Sequence, residues 1–369
     1  MDLLVARDDL RHFRFDTAPV PELDPGEVRL RIDSFALTAN NITYAAFGDL
    51  MSYWDFFPAE PGWGRIPVWG FATVEASGVE GLVPGERIYG YLPMSTHLVV
   101  TPARLSATAF VDASPHRAAL PPVYNHYRRL GAEPAPPDRA GEQAPGATTE
   151  REAYEALLRP LFTTSFLIDD WLDDNELFGA SQVVITSASS KTALGLAFLL
   201  STHRRCRVVG LTSPGNAAFV ESVGYYDAVV GYGRLGALPA DVPTVLVDIA
   251  GDGAVLADVH RHFADRLLHS CRVGATHWED LQIDGVLAGP EPKMFFAPDH
   301  IVRRNSDWGP GVLEQRAGDA LEQFIASARD WLTITEAHGE EGVATAYVEV
   351  LEGRARPDQG YVLSLEGAQ

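Results

Sequence analysis

The chain opens with short stretches in which apolar and polar positions alternate, separated by Gly and Pro. This pattern is typical of half-buried strands joined by turns. Strands are predicted at Val28–Ile32, Ala72–Ala76, Arg87–Tyr91 and His97–Thr101. The pattern therefore predicts a small, mostly β N-terminal domain.

A different pattern occupies residues 177–298, where short apolar runs alternate with helical spacing of apolar positions. Strands that are buried on both faces give such continuous runs, and their alternation with helices predicts a doubly wound parallel sheet. The predicted strands are Val183–Thr186, Val208–Leu211, Ala228–Val230, Val245–Ile249, Ser270–Val273 and Lys293–Phe296, with helices at Lys191–Thr202, Asn216–Ser222 and Val255–Leu268.

Flanking elements complete the pattern. A helix is predicted at Glu150–Ile168, further helices at Val312–Trp331 and Glu341–Glu352, and a closing strand at Tyr361–Leu365. A stretch rich in Pro, Ala and Gly, residues 131–149, predicts an exposed linker. We therefore expect two domains: a β-rich domain over residues 1–150, completed by about 305–369, and an α/β domain over 151–304.

Composition narrows the class of protein. With 369 residues, of which 46% are hydrophobic, the chain is long enough for two domains with substantial cores. It shows neither an apolar span of membrane length nor a signal-peptide pattern, and its net charge of −21 disfavours nucleic acids and anionic membranes as partners. Its two cysteines, Cys206 and Cys271, are far apart, which favours a reducing cytoplasm.

The most informative stretch is Ser181–Gly195, where a buried strand passes through a turn of small residues into a helix. Small side chains let a ligand approach the turn, and either Ser189 or Ser190 is expected to cap the helix. The N–H groups and partial positive charge of a helix N-terminus suit a phosphate. Lys191, one of only two lysines in the chain, adds a full charge. The predicted phosphate-binding residues are Ser187, Ser189, Ser190, Lys191 and Thr192.

This turn departs from the dinucleotide-binding fingerprint because it contains no glycine. Ser and Ala are also small, but they restrict φ more than Gly does. One alternative is an ordinary turn between strand and helix that binds no nucleotide. Another is a phosphate-transfer enzyme, since Ser190-Lys191-Thr192 is similar to the end of a P-loop, although the P-loop glycines are absent.

Four segments occur in an order that resembles the medium-chain dehydrogenase/reductase superfamily, nearest its zinc-independent quinone and enoyl reductases. They are Pro21–Tyr44, Val83–Tyr91, Val183–Ala197 and Val343–Leu365. The combination NNITYAAFGD, FFAPDHI and DWGP also resembles an uncharacterised bacterial subfamily. The resemblance implies a Rossmann domain, a GroES-like β-rich domain and pairing into a homodimer.

The resemblance also implies a chemistry without zinc. Zinc-dependent members have a Cys ligand in the region of Leu37–Asn41 and Gly-His-Glu near Pro67–Phe71, and this chain has neither. We therefore expect hydride transfer between NADP(H) and a small-molecule substrate with an activated alkene or carbonyl, such as an enone, an enoyl thioester or a quinone. The alternative is a degenerate, non-catalytic member that binds a small molecule or a protein partner.

The choice of NADP(H) depends on the end of the second strand of the α/β domain. NAD-binding proteins usually place an acidic residue there to hold the ribose 2′-hydroxyl, whereas this strand ends in Leu211-Thr212-Ser213. Thr212 and Ser213 can donate hydrogen bonds to a 2′-phosphate, with charge from Arg234 or Lys191. The resemblance adds Tyr232, which matches a tyrosine that lines this pocket in quinone reductases.

Without zinc, hydrogen-bond donors must polarise the substrate and a side chain must supply the proton. Tyr53 and Tyr44 are the candidate acids, with Asn41 orienting substrate or nicotinamide, and similar enoyl reductases use a tyrosine from this part of the N-terminal domain. Lys293 and Phe295 end the last predicted strand of the sheet. In the resembling family this strand exit approaches the nicotinamide.

Overall fold

A computed structural model of the chain describes residues 1–17, 19–20, 22–131, 148–273 and 287–367. Most of the predicted linker at 131–149 lies outside these residues. The chain folds into two units: Met1–Leu157 together with Thr333–Gln369, and Leu158–Leu332. Within the described residues, no helix has both the length and the apolar character that crossing a membrane requires.

Strands dominate the chain up to residue 131. The 3₁₀ turns in this part are Tyr53–Phe56, Pro115–Arg117 and Pro122–Asn125. The regular elements are β1 (Asp2–Ala6), β2 (Phe13–Asp16), β3 (Val28–Leu37), α1 (Ala39–Ala46), β4 (Trp63–Gly64), β5 (Pro67–Ser77), β6 (Arg87–Pro93), β7 (His97–Val100), β8 (Pro102–Ala103), β9 (Ala109–Asp112) and β10 (His126–Gly131).

Helices and strands alternate from residue 150 onward, with a 3₁₀ turn at Tyr232–Ala237. The elements up to the end of the second unit are α2 (Glu150–Asp174), β11 (Gln182–Ile185), α3 (Lys191–His203), β12 (Arg207–Thr212), α4 (Ala217–Val223), β13 (Ala228–Gly231), β14 (Thr244–Asp248), α5 (Gly253–Phe263), β15 (Leu267–Arg272), β16 (Lys293–Met294), α6 (Ala297–Trp308) and α7 (Val312–Ala328). The chain then forms β17 (Thr333–His338), α8 (Gly339–Leu351) and β18 (Gln359–Ser364).

The first unit is built on a large sheet with the strand order β17-β18-β3-β5-β6-β10-β9-β8, in which β7 also pairs with β3, and on a smaller sheet, β2-β1-β4. In β3, Val28, Leu30 and Ile32 are buried and the intervening arginines are half-buried, as the alternation predicted. The strand continues to Leu37 and is buried over this second half, where β18 and β5 pair with it on either side. The C-terminal strand therefore completes the N-terminal sheet.

The second unit contains a parallel sheet with the strand order β13-β12-β11-β14-β15-β16. The order reverses at β11, so β12 and β14 flank it on opposite sides. All four residues of β11 are buried, which agrees with the apolar run that predicted this strand. The predicted doubly wound α/β pattern is thus confirmed, with β11 at the centre of the sheet.

The structure departs from the prediction at several points, of which three concern the second unit. Helix α5 ends at Phe263 rather than Leu268, because Ala264 leaves the helical conformation with φ of 42° and the leucines that follow it belong to β15. Helix α6 was not predicted because it is a polar surface helix. Its buried residue is Arg304, which pairs with Asp170 and Asp174 of α2. Residues 305–332, which were expected to complete the first unit, belong to the second.

His260 of α5 is buried and makes polar contacts through both ring nitrogens. Its Nδ1 lies 2.7 Å from Ala288 O and its Nε2 lies 2.8 Å from Ser270 Oγ. A neutral ring with the proton on Nδ1 satisfies both contacts, since the ring then donates to the carbonyl and accepts from the serine. Burial lowers the pKa of His260, and the Ala288 carbonyl and Asp248 oppose this shift.

We expect the free energy of unfolding to decrease as the pH is lowered from about 7 to about 5, because the unfolded histidine, with a pKa of about 6.5, binds a proton that folded His260 does not. Urea unfolding across this range should show a smaller decrease for His260→Gln. His262→Gln, on the same helix, is the matched control and should retain the wild-type dependence. Equal pH dependence in all three proteins would contradict the assignment.

Candidate functional site

The turn between β11 and α3 has a backbone shape that glycine usually supplies. Ser187 begins the turn with φ of 52°, in the left-handed region. The N–H of Ser190 donates to Ser187 O at 2.8 Å and closes the turn. Ser190 Oγ then accepts from the N–H of Ala193 at 3.3 Å, so the predicted cap is confirmed at Ser190. Ser187 therefore adopts the left-handed turn conformation, and Ser190 caps the helix.

Glycines beside the turn, rather than within it, permit its close packing. A Cβ on Gly210 of β12 would lie 2.9 Å from Ala188 Cβ and 3.0 Å from the ring of Tyr226. A Cβ on Gly195 of α3 would lie 2.8 Å from Oγ of Ser165 on α2. Such distances are too short for carbon, so β12 and α2 approach the turn and its helix only because these two positions are glycine.

Tyr232 contacts the turn directly. Its Oη accepts a hydrogen bond from the backbone N–H of Ser187 at 3.0 Å. The ring is half-buried, and burial raises the pKa of its hydroxyl. A neutral Tyr232 keeps its own hydroxyl proton for a second partner. The structure thus brings together two of the residues that the sequence proposed for a cofactor.

Two further side chains that the sequence analysis did not identify also hold the turn. Asn216 Nδ2 donates to Ser189 Oγ at 3.0 Å, and Tyr226 Oη donates to Ala188 O at 3.0 Å. Neither residue belongs to a recognisable motif. Their contacts depend on how the segment between β12 and β13 lies against the turn, which the local sequence does not specify.

Lys191 and Thr192 are the first two residues of α3, and both are half-buried. The Thr192 carbonyl accepts from Ser165 Oγ of α2 at 2.7 Å. This bond fixes the first turn of the helix to its neighbour. The N-terminus of α3 therefore combines a serine cap, a lysine and a fixed backbone, which is an arrangement suited to an anion.

Strand β12 ends at Thr212, whose side chain is buried, and Ser213 follows it, half-buried. The Ser213 carbonyl accepts from the N–H of Asn216 at 3.1 Å. Arg234 lies after β13 and is exposed. Ser213 is therefore the more accessible hydroxyl of the pair proposed for a 2′-phosphate.

Asp248 ends β14 beside the turn. Its Oδ1 accepts from Thr186 Oγ1 at 2.7 Å and from the N–H of Gly251 at 3.2 Å. Burial raises the pKa of this carboxyl group, and these hydrogen bonds oppose the shift. Thr186 Oγ1 in turn accepts from the N–H groups of Ile249 and Ala250. The network links the carboxyl ends of β11 and β14 and stabilises the start of the turn.

Lys293 and Phe295 lie at the edge strand of the sheet. Lys293 is exposed and pairs through β16 with Cys271 of β15. Phe295 is buried, with its ring stacked on His300 at a centroid distance of 4.1 Å and in edge contact with Trp171. In this structure Phe295 therefore contributes to packing between the sheet and the helices α2 and α6.

The second set of candidate residues lies in the first unit, within a buried aromatic cluster. Tyr44 packs on Tyr53 with a centroid distance of 4.5 Å, and Tyr91 packs on Tyr124 at 4.7 Å. Trp69 is half-buried against this group. We call the following residues the tyrosine cluster: Tyr44, Tyr53, Phe56, Phe57, Trp69, Tyr91 and Tyr124.

The predicted acids are neutral at physiological pH, as a proton donor must be. Burial raises the pKa of Tyr53 and raises that of Tyr44 further. The Tyr53 hydroxyl lies 3.3 Å from the hydroxyl of Tyr124. The cluster therefore brings both predicted tyrosines together and adds a third that the sequence analysis did not name.

The Asn41 side chain makes hydrogen bonds within the first unit. Its Oδ1 accepts from the N–H of Thr38 at 2.8 Å, and its Nδ2 donates to Pro67 O at 3.0 Å. These bonds cap α1 and tie it to β5. Asn41 therefore holds the helix that carries Tyr44, instead of presenting a free amide to a ligand as the sequence analysis expected.

Across the part of the chain that the structure describes, no three His, Cys, Asp or Glu side chains are grouped so as to hold a metal ion. Zinc-dependent members place ligands in two regions. In this chain the first contains Asn41, which is hydrogen-bonded to Thr38 and Pro67, and the second consists of residues of strand β5.

The chain belongs to the family described as "Protein of unknown function (DUF2855)", whose model matches residues 35–356. A search of the curated proteins finds no significant match. The family assignment thus agrees with the resemblance to an uncharacterised group.

Solved structures show the fold. CurA from Vibrio vulnificus, in complex with NADPH, is 13% identical with a TM-score of 0.61, over 97% of this chain and 94% of its own. The YhdH oxidoreductase from Salmonella enterica, in complex with NADP, is 14% identical with a TM-score of 0.54, over 100% and 99%. The quinone oxidoreductase from Coxiella burnetii is 12% identical with a TM-score of 0.50, over 98% of each chain.

These likenesses confirm the predicted fold class, a GroES-like β-rich part and a Rossmann part. At 12–14% identity they concern the fold alone.

The left-handed backbone at Ser187 is open to a direct test. Ser187→Gly should not lower the free energy of unfolding, because glycine adopts this φ without strain, whereas Ser187→Val should lower it by about 2 kcal/mol. Urea unfolding measures both. Ser189→Gly is the matched control, since Ser189 has no positive φ, and it should destabilise the protein. A Ser187→Gly variant that loses as much stability as Ser189→Gly would contradict the assigned backbone shape.

Proposed function

We propose that this protein is a zinc-independent reductase that uses NADP(H) to reduce a small molecule with an activated alkene or carbonyl. The observation that carries the proposal is the turn between β11 and α3. Its glycine-like backbone at Ser187 and serine-capped helix meet the requirements of a phosphate site, and it lies at the centre of a parallel sheet where the strand order reverses. Ligands of such sheets bind at this position.

The N-terminus of α3 would hold the pyrophosphate, through Ser189, Ser190, Lys191 and Thr192. NADP(H), when bound, supplies the hydride. Support comes from CurA and YhdH, which share the fold and whose structures contain NADPH and NADP.

The preference for NADP(H) over NAD(H) follows from the end of β12. Positions 212 and 213 are Thr and Ser rather than acidic residues, so neither side chain repels a 2′-phosphate. Ser213 and Tyr232 offer hydroxyl donors, and Arg234 offers an exposed positive charge. Hydroxyl donors together with a positive charge favour the binding of a 2′-phosphate.

The tyrosine cluster supports the substrate class. Aromatic walls suit a flat, conjugated and uncharged molecule, and Tyr53 is the candidate proton donor. A quinone, an enone or an enoyl thioester has both the flat conjugated group and the atom that must be protonated. The first unit would thus bind the substrate.

A second candidate function is a small-molecule or partner-binding protein without turnover. One observation favours it: the N–H of Ser187 is already bonded to the protein's own Tyr232 hydroxyl. If this bond does not open, a phosphate has less access to the turn.

Titration of the purified full chain with NADPH and with NADH, followed by ligand fluorescence, tests the proposal. We expect NADPH to bind at least about tenfold more tightly than NADH, and Lys191→Met to weaken NADPH binding by about tenfold, which corresponds to about 1.4 kcal/mol. Arg205→Met removes one positive charge beyond the other end of α3 and should leave the affinity unchanged.

Absence of binding by either nucleotide would exclude the reductase and favour the second candidate. Tighter binding of NADH would retain a redox role but overturn the assignment of the 2′-phosphate site.

A further inference from the structure

Two 3₁₀ turns of the first unit bring a pair of hydroxyl groups together. Tyr53 begins the turn Tyr53–Phe56 and Tyr124 lies in the turn Pro122–Asn125. Their Oη atoms are 3.3 Å apart although the residues are 71 positions apart in the chain. Tyr53 is 7% exposed and Tyr124 is 8% exposed, so both side chains are buried.

A buried arginine fixes these two turns to each other. Arg117 Nε donates to Phe56 O, at the end of the Tyr53 turn, at 3.1 Å. The Arg117 carbonyl accepts from Asn125 Nδ2, at the end of the Tyr124 turn, at 3.2 Å. Arg117 is itself 1% exposed and lies 2.9 Å from the carboxylate of Asp112. The contact between the two hydroxyls is therefore set by a rigid, buried frame.

The direction of the hydrogen bond decides what Tyr53 can do. If Tyr53 donates to Tyr124, its proton is occupied; if Tyr124 donates to Tyr53, the Tyr53 proton remains available to another acceptor. Burial raises the pKa of both hydroxyls, and the contact with Tyr124 opposes this rise at Tyr53. Either hydroxyl can donate at 3.3 Å, and only donation by Tyr124 leaves the Tyr53 proton available.

We propose that Tyr124 is a positioning residue for proton transfer, which donates a hydrogen bond to Tyr53 Oη and directs the Tyr53 proton toward the substrate. The inference rests on the proposed reductase function. NADP(H), when bound, would supply the hydride. The O–H bond of Tyr53 breaks, and its proton joins the substrate atom that holds the resulting electron pair. The negative charge left on Tyr53 Oη is stabilised by the Tyr124 hydroxyl until a proton from water restores the phenol.

Two measurements on the full chain test this role. The first replaces Tyr53 by 3-fluorotyrosine and follows its ionisation by fluorine NMR. Because the bond from Tyr124 lowers the pKa of residue 53, Tyr124→Phe should move the ionisation midpoint to higher pH. Tyr89→Phe is the matched control, since Tyr89 is a buried tyrosine of β6 packed on Trp69 and Phe71, and it should leave the midpoint unchanged.

The second measurement follows NADPH oxidation with menadione and with cinnamaldehyde as probes. Tyr124→Phe should lower kcat by about tenfold with KM changed by less than about twofold, and should move the basic limb of the pH profile to higher pH. Tyr53→Phe should lower kcat further, and Tyr89→Phe should retain the wild-type values.

An unchanged fluorine midpoint in Tyr124→Phe would overturn the inference, as would a shifted midpoint with unchanged kcat. Failure of the wild-type chain to oxidise NADPH with either probe would instead remove the proposed reaction, and with it the catalytic part of the inference. The fluorine result distinguishes these outcomes because it does not require turnover.

Discussion

The second unit depends on the close approach of backbone at one turn. Ser187 accepts a left-handed conformation there, and Gly210 and Gly195 leave room for β12 and α2 to approach the turn and its helix. A left-handed serine is strained by about 1 kcal/mol or more, and the surrounding bonds, including the one that the Ser187 N–H donates to Tyr232, maintain it. The glycines that dinucleotide-binding turns usually carry in the loop are here placed on the neighbouring strand and helix. The result is an accessible helix N-terminus with serine hydroxyls around it.

In the first unit, a buried ion pair rather than a close approach of backbone restricts the candidate residues. A buried arginine, Arg117, replaces ordinary apolar packing between two short turns, and its partner Asp112 balances the charge. Removing either partner would leave an unpaired buried charge, so the pair strongly restricts how those turns can lie. Because the turns carry Tyr53 and Tyr124, a structural ion pair determines the geometry of the candidate acid. In the proposed mechanism, positioning and catalysis are thus assigned to separate residues.

The sequence was sufficient where local pattern decides the outcome. The apolar run of β11, a serine cap at Ser189 or Ser190 and the alternation in β3 were all predicted because each depends on neighbouring residues. It was insufficient where distant segments meet. Tyr124 follows two prolines in a stretch without a motif, and its importance arises only from a partner 71 residues away. Asn41 was assigned to a ligand because the sequence does not reveal that Pro67 occupies its amide.

We propose that a turn without glycine still binds a pyrophosphate. A crystal structure of the protein grown with saturating NADPH would test this binding. We expect phosphate oxygens within hydrogen-bonding distance of the backbone N–H groups at the start of α3, with Ser187 still in the left-handed conformation. A turn that remains closed by Tyr232, with no nucleotide against α3, would contradict it.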